Sequence, residues 1–365
     1  MPATTPSTTR TTKKSEAETN VGTSTIEEAI VAMKAGKFVI VMDNEDRENE
    51  GDLIMPAEFA TEESLAFMIR HSTGIVCVPA LADRLEALQL PLMVDNNTEV
   101  HKCKFTVTVD LKEGNSTGVS AADRARTIRA MADPNVPASA FNRPGHIFPL
   151  KAMNGGVISR AGHTEAAVDL ARMAGCAPVG YICEMNDQNG NMMRRPQLEE
   201  FAKEHDLPLI TISDMIRYRF THEKIVECVA DAVEMRTPHG KFDHLRFSSV
   251  HDGQLFDALV HGNVNQRDVL VHVVEDGLHE LVDAQFAQQQ IAKHGHGVIV
   301  YVNNAKELLD VSGELMARQS IFGMVMQIVK HVGVQSVRIL SKEPSSFDLN
   351  GFGIPVIGYE TLVTA

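Results

Sequence analysis

Little in this sequence supports a covalently stapled or membrane-held architecture. The five cysteines are Cys77, Cys103, Cys176, Cys183 and Cys228. They are odd in number, widely spread and form no CxxC pair, which argues against a disulfide framework or zinc knuckle and fits a reduced, cytoplasmic setting. None lies beyond Cys228. No apolar run approaches the ~20 residues of a membrane span. Positive charge is also in deficit: Lys+Arg is 34 against Asp+Glu 48, a net charge of −14. Such a chain is a poor binder of nucleic-acid backbones, and any anionic ligand needs a local cationic pocket. Residues 1–24 carry eight threonines with Arg10, Lys13 and Lys14 but no apolar core segment. A secretory signal is thereby excluded. Glu16 and Glu18 count against a transit peptide, and a disordered tail over 1–23 is expected.

The remainder has the means to fold. Hydrophobic residues make up 44% of 365 positions, enough for two cores. Ser24-Thr25 followed by Glu27-Glu28, apolar Ile26, Ala29, Ile30 and Met33, and Gly36 read as a capped amphipathic helix. Phe38–Met42 reads as a buried strand, Leu53–Met55 and Ile75–Val78 as further strands, and 61–70 as a helix. This alternation to about residue 222 predicts an α/β (α+β layered) domain with a mixed sheet over 24–222. A second α+β domain is expected over 223–365. Its strands are placed at Ile225–Met235, Leu245–Val250, Gln254–Val260, Val269–Val274, Val298–Val302 and Val337–Leu340, with helices near 279–293 and 313–332.

Chemistry concentrates in the first half. Residues 43–52 hold six acids and one arginine between two apolar strands. This is either a solvated charged turn or a loop whose repulsion a divalent cation relieves through oxygen ligands. Ser159-Arg160-Ala161-Gly162-His163-Thr164 opens a helix that ends at Gly175. Free amides, the dipole and Arg160 suit a phosphate there, whereas a Thr-capped helix beside a surface histidine explains the same pattern. His146, in Arg143-Pro144-Gly145-His146-Ile147, reads as part of a rigid turn rather than an element. Glu184 ends the apolar run 179–183, where a carboxylate can project from a sheet edge. Cys77 reads as a small buried hydrophobe. Ser120 reads as a helix N-cap, although the hydroxyls of 115–120 could also assist a phosphate.

Taken together, DNEDRENEGDLIMPAE (43–58), HSTGIVCVP (71–79), STGVSAADRARTIRAM (116–131), RPGHIFPL (143–150), SRAGHTEAAVDLARMAG (159–175) and YICEM (181–185) resemble the 3,4-dihydroxy-2-butanone 4-phosphate synthase family of riboflavin biosynthesis. The resemblance covers nearly all of 24–222. It implies a lyase that converts D-ribulose 5-phosphate to L-3,4-dihydroxy-2-butanone 4-phosphate and formate, as a homodimer dependent on Mg2+. By the same resemblance Glu48 and His163 are metal ligands. Arg47, Glu48, Asp52, Arg160, Ala161, Gly162, His163, Thr164 and Glu184 bind substrate, and Asp52, His146 and Glu184 serve catalysis. Because imidazole suits softer metals than Mg2+, Mn2+ is expected to substitute.

Residues 223–365 resemble GTP cyclohydrolase II, chiefly through SVRILSKEPSSFDLNGFGIPVIGYETL (336–362). That family holds a catalytic zinc with three cysteines after the strand matching Val269–Val274. Here the place reads Glu275-Asp276-Gly277-Leu278-His279, with no thiol downstream. No zinc and no GTP cyclohydrolase II activity are therefore expected, since a catalytic zinc needs three protein ligands. A different site at His279 with Glu275 or Asp276 is a minor alternative. A fully bifunctional enzyme is disfavoured by the missing thiols. A wholly non-enzymatic chain is disfavoured by the intact set Arg47, Glu48, Asp52, His146, His163 and Glu184.

Overall fold

The structure is a computed structural model, and it describes residues 23–275, 278–303, 312, 314–345 and 348–364; of 278–281 only the backbone is described. The expected tail over 1–23 lies, but for Thr23, outside the described residues. The chain opens with α1 (Ile26–Lys34), whose start follows from its sequence: Thr25 accepts from the Glu28 amide while Glu28 accepts from the Thr25 amide. This reciprocal cap satisfies two otherwise orphaned donors. Strands β1 (Val39–Met42) and β2 (Gly51–Pro56) flank the acidic loop and pair antiparallel across it. Then come α2 (Glu62–Arg70), β3 (Cys77–Ala80), α3 (Ala82–Ala87), β4 (Val109–Leu111), α4 (Ala121–Ala132), β5 (Phe141–Lys151) and α5 (His163–Met173). Finally β6 (Gly180–Glu184), α6 (Arg195–His205), β7 (Leu209–Thr211) and α7 (Ile212–His222) complete this half. Its seven strands form one mixed sheet in the order β4-β5-β3-β6-β2-β1-β7.

The second half contains β8 (Val226–Thr237), β9 (Gly240–Ser249), β10 (Leu255–His261), β11 (Val269–Val274), α8 (Leu278–His294), β12 (Gly297–Val302), α9 (Glu314–His331), β13 (Val337–Ser341) and β14 (Val356–Thr361). Its sheet order is β14-β13-β11-β12-β10-β9-β8. Strands β8, β9, β10 and β12 pair antiparallel, whereas β12, β11, β13 and β14 pair parallel. The molecule is thus two α/β units built on mixed sheets. One apolar cluster runs from Ala29, Leu170 and Ile216 in the first unit through Phe220 to Met324 and Val325 in the second. A second cluster fills the other face of the first sheet, and a third packs α8 on the second sheet.

Three local expectations need correction. His146 lies inside β5, not in a separate turn. The pairing nevertheless slips: Asp110 faces Asn142 while the preceding Val109 faces Ile147. Residues 143–146 are therefore an insert in the ladder, and turn-like residues within a strand are what such an insert requires. The strand expected at Ile75–Val78 begins at Cys77 and runs through Pro79 to Ala80, and Ile75 is half exposed. Strand β9 starts five residues before the expected Leu245, and β14 adds a strand beyond those expected; its half-buried, alternating edge carries a weak apolar signal.

Candidate active site

The site assembles at one end of the first sheet. Asp52 on β2 stands directly opposite Glu184 on β6. Cys77 on β3 faces Ile182 on β6 and Phe148 on β5. Glu184 lies two residues beyond Ile182, and His146 two residues before Phe148. With neighbouring strands about 4.8 Å apart, the two reach the same sheet edge from either side of β3. The β1–β2 loop covers this edge, and the start of α5 enters it from the neighbouring layer.

The acidic loop is ordered from within. Asp43 is buried, and its carboxylate accepts from the amides of Glu48 (3.0 Å) and Glu50 (2.8 Å) and from Arg47 Nη1 (3.0 Å). Arg47 also donates to Glu48 Oε2 at 2.6 Å. Six like charges are thus reduced by one internal arginine and two amide bonds.

His163, the first residue of α5, is buried against the base of this loop. Its Nε2 lies 3.1 Å from the Val41 carbonyl, which can only accept. Nε2 therefore carries the proton, and in the neutral ring Nδ1 is the free lone pair. Nδ1 lies 3.4 Å from Glu48 Oε2 and 3.8 Å from Asp52 Oδ1. Burial lowers the His163 pKa, but Asp52 and Glu48 outweigh it and hold the ring at about 10. Burial would raise the Glu48 carboxyl, yet His163 and Arg47 keep it well below the usual range. Asp52 is pushed well up, first by its complete burial and, despite His163, by Glu184, Glu48 and Asp43 nearby.

Such a set of donors is one that a divalent cation can use. Glu48 and His163, expected as ligands by resemblance, are brought together, and Asp43 joins them with ligand atoms of all three within 4.8 Å. A spacing of 3.4 Å between Nδ1 and Oε2 suits adjacent ligands of one octahedral ion. Asp52 Oδ1 is buried without a hydrogen-bond partner among the described residues, an acceptor left for a ligand or proton. Asp43 also braces the loop, with three of its acceptor sites used by Arg47 and the Glu48 and Glu50 amides.

The phosphate-like cradle is built beside it. α5 starts after Gly162 with no side-chain cap, so the Thr-capped alternative does not hold. The amides of His163 and Thr164 make no hydrogen bond to another described residue, as at any uncapped helix start. A Cβ on Gly162 would come 2.5 Å from Arg160 Nη1 and 3.1 Å from Arg47 Nη2. Both guanidinium groups therefore converge on the glycine. Arg160 is held by Glu165 (2.6 Å), the His101 carbonyl (3.1 Å) and Cys103 Sγ (2.9 Å). Arg47 Nε is buried and without a partner among the described residues.

His146 and Glu184 are positioned by residues that sequence reasoning missed. Asp110 Oδ2 accepts from His146 Nδ1 at 2.7 Å, and Asp110 Oδ1 from the His146 amide at 2.9 Å. Nδ1 is thereby the protonated nitrogen, leaving Nε2 as a base on a half-exposed ring. The insert needs Gly145, since a Cβ there would lie 2.0 Å from the Val109 carbonyl carbon. Thr73 donates to Glu184 Oε2 at 2.8 Å. Asp110, Thr73 and Cys103 carry no spacing signal, because they act only through partners distant in sequence, whereas Asp43 and Glu165 act through neighbours four to seven residues away inside motifs already singled out. Ser120 caps α4, and Cys77 is buried, both as read from the sequence. Asp276 and the side chain of His279 lie outside the described residues, and Glu275 pairs with Arg318 at 3.2 Å.

Comparison with known proteins bears on both halves. Residues 27–218 match the sequence profile of 3,4-dihydroxy-2-butanone 4-phosphate synthase, and residues 227–361 that of GTP cyclohydrolase II. A Pseudomonas aeruginosa protein named 3,4-dihydroxy-2-butanone 4-phosphate synthase is 41% identical over 359 residues, spanning 92% of this chain and 98% of its own. The riboflavin biosynthesis protein RibBA of Salinispora arenicola is 42% identical over 368 residues, spanning 92% of this chain and 87% of its own. Among solved structures, RibBX, a two-domain 3,4-dihydroxy-2-butanone 4-phosphate synthase from A. baumannii, has a TM-score of 0.82 at 36% identity, covering 94% of this chain and all of its own. A 3,4-dihydroxy-2-butanone 4-phosphate synthase in complex with two magnesium ions covers 53% of this chain and 96% of its own, with a TM-score of 0.52 at 43% identity.

Proposed function

Since the chain belongs to the 3,4-dihydroxy-2-butanone 4-phosphate synthase family, a group of riboflavin-biosynthesis enzymes, we propose how its own residues carry the reaction. The substrate is D-ribulose 5-phosphate, and the site lies in a synthase domain of residues 24–222. The observation that carries the reading is that Glu48 and Asp52 lie 3.4 and 3.8 Å from His163 Nδ1 at the edge where Glu184 faces Asp52. The His163 and Thr164 amides with Arg47 and Arg160 hold the phosphate. Glu48 and His163 would hold a Mg2+ ion, for which Mn2+ would substitute. When bound, the ion supplies Lewis-acid polarisation of the substrate's ketone and hydroxyl oxygens.

The chain's own groups move the protons. The first step removes the C3 proton of the ketose, work for a carboxylate or imidazole within hydrogen-bond reach. Glu184, fixed by Thr73, and His146, with Nε2 left basic by Asp110, are the bases at this edge. Asp52, whose burial favours the protonated form, is placed to give a proton as the C1 hydroxyl leaves as water. Skeletal rearrangement follows, and C4 departs as formate after water adds. The water lost is regained, so one five-carbon phosphate yields one four-carbon phosphate and one formate.

The second half, residues 223–365, is proposed to be a cyclohydrolase-like domain without GTP cyclohydrolase II activity or zinc. No cysteine follows Cys228, so no thiol is available where that family's metal is held. The enzyme is further proposed to act as a cytoplasmic homodimer. Among the described residues no helix is long and apolar enough to cross a membrane. The test is formate release from ribulose 5-phosphate with Mg2+, alongside GTP turnover. Formate alone is expected; excess EDTA should abolish it and Mg2+ restore it. Full activity in EDTA would refute the metal assignment, and GTP turnover would refute the inactive second domain.

A further inference from the structure

The second unit reaches into the synthase site at two points. The Ala161 amide, inside the Arg160–Thr164 turn, donates to Ser312 Oγ at 3.1 Å. Ser312 is 1% exposed and lies just before α9. The Leu315 amide, in the first turn of α9, donates to Asp46 Oδ2 at 3.1 Å. One helix start thus contacts both loops that frame the substrate: Ser312 holds the α5 entry, and the acidic loop caps α9 in return.

The rest of α9 ties that start to the junction between the units. Gln319 Oε1 accepts from Ser213 on α7 at 2.8 Å. Gln327 Oε1 accepts from the Ile225 amide at 2.8 Å, and its Nε2 donates to the carbonyls of Phe220 (2.8 Å) and Glu223 (2.7 Å). Gly323 gives the close approach, since a Cβ there would meet the Phe220 ring at 2.3 Å. α9 is therefore anchored along its length to α7 and the chain that leaves it. Its N-terminal end makes two contacts with the synthase site.

We propose that α9 of the second domain is a positioning element of the synthase, with Ser312 setting the phosphate turn through Ala161 and Asp46 fixed through Leu315. The inference rests on assigning 160–164 to the substrate phosphate. Physically, Ser312 supplies the acceptor that a buried Ala161 amide otherwise lacks. Without it the turn must tilt to find another acceptor, and the adjacent His163 and Thr164 amides move off the phosphate. A domain with no cysteine after Cys228 thereby serves the first domain's binding step.

The test uses the full-length chain with Mg2+. Ser312→Ala should raise KM for ribulose 5-phosphate about tenfold, the order expected when a buried donor loses its partner. The value of kcat should stay within about twofold, because Asp52, His146 and Glu184 are untouched. Inorganic phosphate should weaken as a competitor by a similar factor. Ser312→Thr, which keeps the hydroxyl, should restore KM, and Asp46→Ala should raise it independently. Thermal melts identify a mere folding defect: a lower midpoint with unchanged KM in Ser312→Ala overturns the proposal, as does an equal loss in Ser312→Thr. The underlying reading fails separately, if the unaltered chain releases no formate or if phosphate does not compete with its substrate.

Discussion

A single side chain here takes its chemistry from the partner that holds it. In the proposed mechanism His146 serves as a base because Asp110 Oδ2 accepts a 2.7 Å hydrogen bond from its Nδ1–H and leaves the Nε2 lone pair free. Asp110→Asn would present an amide N–H to that nitrogen, moving the ring proton to Nε2 and removing the base. Turnover should fall about 10²-fold, within the usual range for general-base loss, with KM nearly unchanged. Steady-state kinetics on a variant with an unaltered melt checks this. His163 makes a second test. Its ring is raised from 6.5 to about 10 by Asp52 and Glu48 against the effect of burial. The protonated ring therefore stabilises the metal-free fold fully below about pH 6.5, and that contribution is lost as pH rises through about 10. Buried Asp52, also raised, adds loss in the same direction. Melting temperatures of the metal-free protein should fall between pH 7 and 10. Mg2+ should reduce the decline, since a cation replaces the proton at Nδ1.

At the scale of elements, the start of α5 is the decisive structure. The dipole and amides of one helix end contribute only ~0.3–1 kcal/mol to anion binding when exposed. The cradle must draw most of its strength from Arg47 and Arg160, which converge on Gly162. Gly162 has φ −122 and ψ 161, an extended backbone that alanine adopts without strain. Gly162→Ala should therefore add no backbone strain, but its methyl group would lie 2.5 Å from Arg160 Nη1 and must push that guanidinium out of place. Apparent KM should rise by about 10²-fold, the scale of an ångström's misplacement at a reacting site. An unchanged KM would move the phosphate away from this turn. β5 teaches a related lesson: Pro144 and Gly145 looked like a turn because the ladder carries an insert there, and that insert carries His146 out of the sheet.

Across the whole molecule, two sheets are joined by α7 and α9 rather than by a flexible linker. Arg219 on α7 marks this joint, 1% exposed and held by Asp169 (2.9 Å), the Gly155 carbonyl (2.7 Å) and Glu223 (2.7 Å). It also approaches His251 of the second unit at 3.3 Å. Removing one partner of such a buried pair strands the other charge. Arg219→Ala should cost about 3–5 kcal/mol in urea unfolding. A loss below 1 kcal/mol would mean that Asp169 is neutral or hydrated there.

The synthase-like half was legible because its chemistry sits in contiguous motifs. The acidic loop 43–52, the turn 159–164 and the strand end at Glu184 each announce themselves by local composition, and the capped helices and apolar strands by local periodicity. What the sequence could not decide was which distant residues meet. That Asp110 orients His146 and Thr73 orients Glu184, and that Ser312 reaches Ala161 across 151 positions are consequences of sheet order and helix docking. Local pattern encodes secondary structure through side-chain period and capping. Proton placement and interdomain contact depend instead on separations of 3–4 Å in space, which only the packed sheets and helices set.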